Sequence, residues 1–81
     1  MSPNDALSKA LHAAWQADAA VSLARRARFF ARSASEPGYQ AACRAYEASK
    51  DVADAAWREC DRIADAMVAA GEPDPRMQDP A

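Results

Sequence analysis

At 81 residues with a formal net charge of −2, the chain is one small domain at most, and its slightly acidic balance counts against a protein built mainly to hold polyanions. Alanine fills 23 positions while Leu, Ile, Val and Phe together fill nine, so the core is thin and a partner chain or a second copy is the expected remedy. No stretch approaches the roughly 20 apolar residues that span a bilayer, and no basic region leads into an apolar run at the N-terminus, so the expected location is the cytoplasm.

The first element opens at Ser2-Pro3-Asn4-Asp5, with a serine placed to cap, a proline at the first helical position and an acid three residues after the cap. No Gly or Pro interrupts Asp5 to Ala34, which predicts a helix over about 4–34. Positions 6, 10, 13, 17, 20, 24, 27, 31 and 34 keep the alternating four-three spacing of a heptad seam, and all are alanine. A second face of this helix steps through Leu7, Leu11 and Trp15 and continues through Asp18, Ser22, Arg25, Phe29 and Arg32.

Ser35-Glu36-Pro37-Gly38 carries turn chemistry and predicts a break at 35–38. A second helix is expected over about 39–70, closed by Gly71 at the position after the cap with Pro73 two residues on. Its seam reads Ala42, Tyr46, Ser49, Ala53, Ala56, Cys60, Ile63, Met67 and Ala70, and beside it lie Tyr39, Cys43, Trp57, Ala64 and Val68. Cys43 and Cys60 stand 17 residues apart on this helix, about 25 Å along its axis, which is beyond disulfide reach within the chain. Residues 72–81 hold three prolines and read as an extended tail.

These elements predict an all-α fold, an antiparallel hairpin of two long helices over residues 1–71 joined along an alanine-rich seam. Two helices cannot enclose the second face with its two tryptophans. That face is expected to meet another surface, either a different protein or a second copy in a four-helix bundle.

No catalytic, cofactor-binding or metal-ligand pattern stands out. The single histidine, His12, lies apart from the two cysteines, which match no zinc spacing, and the acids of the second helix read as a solvated face. What remains is the run Arg25, Arg26, Arg28, Phe29, Phe30 and Arg32 in a chain that is otherwise acidic. Planar guanidiniums around aromatic anchors are what protein-binding hot spots favour. The leading expectation is therefore a non-catalytic protein-binding module, an adaptor or an inhibitor of the kind phages direct at bacterial enzymes or defence complexes. Its partner-binding residues are expected to be Leu7, Leu11, Trp15, Arg25, Arg26, Arg28, Phe29, Arg32, Tyr39 and Trp57.

The alternative is a nucleic-acid-binding or nucleic-acid-mimicking regulator, with the arginines on phosphates or the acidic second helix imitating them. No recognised nucleic-acid-binding motif accompanies the cluster. A membrane-surface helix is disfavoured, because Asp18 and Arg25 interrupt the apolar face it would need. Charge is also divided along the hairpin. Residues 24–50 carry six bases against two acids, a balance of +4, while residues 1–23 with 51–71 carry three bases against seven acids, a balance of −4. Two copies packed through their aromatic faces with turns pointing in opposite directions would place each basic end over an acidic one.

Overall fold

The structure is a computed structural model, and it describes residues 2–32 and 36–77. Two helices, α1 (Pro3–Ala31) and α2 (Glu36–Ala69), pack against each other along their length, and a short 3₁₀ turn follows at Pro75–Met77. Among the described residues there is no strand, and no helix is long and apolar enough to cross a membrane.

Both outer helix ends follow from local chemistry. The Ser2 hydroxyl accepts a hydrogen bond from the Asp5 amide at 3.3 Å, satisfying one of the orphan donors of α1, and Pro3 occupies the first turn, where its missing N–H costs nothing. At the other end Gly71 adopts φ +87°, the left-handed region open to glycine. That reversal lets the Glu72 amide reach the Met67 carbonyl at 3.0 Å and the Gly71 amide the Val68 carbonyl at 3.0 Å, the paired bonds of a Schellman closure.

The connection between the helices is shorter on its second side than the sequence suggests. Glu36, Pro37 and Gly38, expected in the turn, already belong to the first turn of α2, where proline is tolerated and an acid suits the positive end of the helix dipole. On the first side α1 ends at Ala31 rather than 34, the Arg32 amide closing on the Phe29 carbonyl at 3.3 Å; Ala34 and Ser35 lie outside the described residues.

The seam of α2 is the expected one. Ala53, Cys60, Ile63 and Met67 are buried, and Ala42, Tyr46, Ser49 and Ala56 half-buried; only Ala70 is exposed. The seam of α1 is corrected. Ala10, Ala17, Ala24 and Ala31 face α2, but Ala13, Ala20 and Ala27 are exposed, and their places are taken by Leu7, Ala14, Val21 and Arg28. This moves half the stripe by one residue and rotates its centre by about 50°. The reason is area: Leu7 and Val21 remove more apolar surface from water in the groove of α2 than alanines can.

The core sits in the half of the hairpin farthest from the turn. All seven buried residues among those described, Ala14, Ala17, Ala53, Cys60, Ile63, Ala64 and Met67, lie there, and four of them are alanine. The hairpin is correspondingly long and thin, measuring 55 × 24 × 18 Å. Its radius of gyration is 16.9 Å, against about 12 Å for a compact domain of this length.

Candidate interaction surface

Three of the residues expected to bind a partner converge on the chain's own tail. Leu7 and Leu11 of α1 and Trp57 of α2, with Cys60 and Ala64 beneath, line a cleft of about 200 Å³ whose remaining wall is Asp61, Pro75 and Arg76. Trp57 is half-buried between the helices rather than turned outward opposite Trp15, and its indole N–H donates to the Asp18 carboxylate at 3.1 Å. An indole needs a partner for its N–H where it is partly desolvated, and Asp18 supplies a charged one.

Arg76 holds the tail in place. Its Nε donates to Asp74 Oδ1 at 2.9 Å, one terminal nitrogen to Asp65 Oδ1 at 2.8 Å, and the other to Asp61 Oδ1 at 3.4 Å. The guanidinium thus ties the 3₁₀ turn to two acids one helical turn apart on α2. The hydrogen bonds from Arg76, foremost its side chain, hold the Asp74 carboxyl below its ordinary range. The expected extended tail is therefore folded back over Pro75–Met77. A Pro-rich composition excludes a helix or strand but places no bar on a single clamped turn.

Toward the turn, the arginine cluster divides. Arg28 faces inward, its guanidinium carbon 4.1 Å from the centroid of the Tyr46 ring, and Lys50 Nζ lies 5.5 Å from the same centroid. Each such cation on an aromatic face contributes roughly 0.5–1 kcal/mol at exposed sites. Arg28 is therefore part of the seam. Arg25 and Arg26 stay outside, find no ion-pair partner among the described residues, and line a shallow depression of about 480 Å³ with Ser22, Phe29 and Phe30. The two phenylalanine rings meet edge to face, 5.7 Å apart, and Arg32 lies 6.0 Å from the centroid of Phe29.

Of the other expected site residues, Trp15 stands exposed on the same outer side of α1 as Phe29, two heptads away, and Tyr39 is half-buried at the start of α2. The expected second face is thus split between a tail-covered part and an open part. Leu23 and Val52, which the sequence reading left aside, are as exposed as the phenylalanines. The signal was available: neither falls on the seam spacing, and two long helices predict no third one to cover them. His12 is exposed and meets Gln16 across one helical turn at 3.1 Å.

The chain matches no known protein family, no curated protein and no solved structure.

Proposed function

We propose that this chain is a non-catalytic protein-binding module, an adaptor or inhibitor that works by occupying a surface of another protein. The observation that carries this reading is a set of large apolar side chains left outside the hairpin. Trp15, Leu23, Phe29, Phe30 and Val52 are 61–67% exposed, on a molecule whose largest buried side chains are Ile63 and Met67. The accessible surface is 5947 Å², about 1,200 Å² above the value for a compact monomer of this mass. A chain that leaves five large apolar side chains in water is built to bury them against something else. Association of two hairpins into a four-helix bundle belongs to the same reading.

For a different protein, the fitting region is the outer side of α1. Phe29 supplies an aromatic anchor there, and Arg25, Arg26 and Arg32 supply guanidiniums free to pair with carboxylates around the socket that receives it. The test is affinity capture from the native host at two salt concentrations, with and without nuclease, using the wild-type chain and the variants Phe29→Ala and Arg25→Glu. A protein retained at moderate salt, insensitive to nuclease and lost with both variants is the expected result. Retained material that is nucleic acid, with binding to a synthetic oligonucleotide that falls by about 10³ or more between 50 and 200 mM salt, overturns it in favour of phosphate binding.

A further inference from the structure

The hairpin has two broad sides, and among the described residues the chain itself covers only one. On the side where Asp18 meets Trp57, the tail lies over Leu7, Leu11 and Ala64. The opposite side is bare. There α1 presents Ala13, Ala20 and Ala27 with Leu23 and Phe30, and α2 presents Ala45, Ala48, Ala55 and Ala66 around Val52, all exposed. Its charged residues are few: Lys9, and Glu59 already paired with Arg62 through bonds that include Nε to Oε2 at 2.8 Å. Two helices thus expose a flat, nearly uncharged strip with three large apolar side chains set among alanines.

We propose that this strip is covered by a second copy of the chain whose turn points the opposite way, giving a two-fold symmetric four-helix bundle. The inference rests on the reading of the chain as an interaction module and assigns the face and the direction. Area supports the occupant: a stable interface buries about 800 Å² per partner, which a strip along a 55 Å hairpin can supply and which lies within the excess surface of the monomer.

Shape and charge set the direction. Leu23 and Phe30 lie in the half of α1 nearest the turn, whereas the far half of the same strip carries only Ala6 and Ala13 as its apolar residues. With turns opposed, α1 crosses its own copy near Ala20, and the large pair of each chain rests on the alanines of the other. With turns aligned, α1 would lie over α2 of the copy, and Leu23 and Phe30 of both chains would gather in the half nearest the turn. The charge division argues the same way, because opposed turns lay the +4 end of each hairpin over the −4 end of its copy and aligned turns bring like charges together. The corrected seam of α1 moves this contact to the alanine side, away from the aromatic face expected from the sequence, and leaves Arg25, Arg26 and Phe29 available to a different protein.

Sedimentation and light scattering at 10–500 µM protein in low salt test the proposal. The wild type is expected at twice the 8.7 kDa chain mass. Leu23→Glu and Val52→Glu are each expected to restore the monomer with unchanged helicity, since both side chains are exposed within one hairpin, while Trp15→Ala and Arg25→Ala leave the dimer intact. Direction is read by oxidation in a Cys43→Ser, Cys60→Ala background whose helicity and dimer mass are first verified. Ala20→Cys is expected to crosslink to its own copy, and an Ala27→Cys chain to an Ala13→Cys chain, whereas Phe30→Cys alone does not self-link. A monomer at 500 µM overturns the proposal, as does a dimer broken at Trp15 but not at Leu23 and Val52. Self-linking through Phe30→Cys overturns the opposed direction. The hetero-partner reading is tested separately by Phe29→Ala capture and survives any of these results.

Discussion

The two halves of the hairpin are built from the same two helices and do opposite things. Among the described residues, the half far from the turn holds every buried side chain, the clamped tail and a net negative charge; the half near the turn holds no buried residue, most of the arginines and both phenylalanines. In the first half, interhelical contact is made by Ile63, Met67 and Cys60 against Leu7, Ala14 and Ala17. In the second it is made by half-buried groups such as Ala24, Tyr46 and the stem of Arg28. One half carries the stability of the fold, and the other extends from it as a presented surface.

Core truncation is the strongest way to break that contrast. Ile63→Ala and Met67→Ala are expected to cost about 2–3 kcal/mol each, near the low end for buried aliphatics because both sites lie close to solvent. Tyr46→Ala near the turn is expected to cost about 1 kcal/mol, the loss of one half-buried ring and its two cations. Urea melts of the three variants at a protein concentration where the wild type is monomeric check the ordering. Equal costs in both halves would mean that the turn half is core as well.

A second substitution set tests the position of the seam. Ala14 has no exposed surface, so Ala14→Leu is expected to destabilise by about 1–3 kcal/mol through overpacking, whereas Ala13→Leu, one residue away and exposed, stays within about 0.5 kcal/mol of wild type when monomeric. The reverse outcome would restore the all-alanine stripe.

That pair also shows where the sequence stops being informative. Helix α2 is strongly amphipathic, so its seam is legible from Tyr46, Cys60, Ile63 and Met67 alone, and the helix ends at Ser2 and Gly71 are legible from their caps. Helix α1 has almost no amphipathic bias, and with alanine at both 13 and 14 periodicity cannot choose between two stripes. The larger side chains decide it, and they do so only once α2 provides the groove. The site was legible to a similar degree. Phe29, Arg25, Arg26 and Trp15 are outside as expected, because nothing remains to cover them, while Arg28 and Trp57 turned inward through partners on the other helix, Tyr46 and Asp18, that helical spacing along one element cannot reveal. The clamp of Arg76 on Asp61 and Asp65 crosses more than ten residues of chain and was invisible for the same reason.

The cysteines report the contrast chemically. Cys60 is buried in the far half, and burial, reinforced by the charges of Asp61 and Glu59, raises its thiol above the ordinary value; Cys43 is half-buried near the turn. The thiolate is the reacting species, so at pH 7–8 a maleimide is expected to label Cys43 at least about tenfold faster than Cys60. Mass spectrometry after brief labelling reads the ratio, and equal rates would show that the far half opens as readily as the near one.

The smallest expected effect concerns the tail, which adds a clasp to the half that is already the more stable. Asp74 is held below its ordinary value by the Arg76 guanidinium, and Glu59 likewise by its side-chain bond to Arg62. A carboxyl lowered on folding contributes stability that is present above its unfolded value, about 4, and disappears as pH falls through the lower folded value. Acidification below about pH 4 is therefore expected to loosen the tail before the helices melt. Pro75 and Arg76 border the same cleft as Trp57, so the emission of Trp57 in a Trp15→Phe chain is the readout. Arg76→Gln is the control: a spectral change near pH 4 that vanishes in Arg76→Gln belongs to the clasp, and one that persists unaltered shows that the clasp is not its source. Added salt at pH 7 is expected to shift the wild-type spectrum in the same direction as acid, since Asp61 and Asp65 are open to solvent and screening weakens their pairs with Arg76.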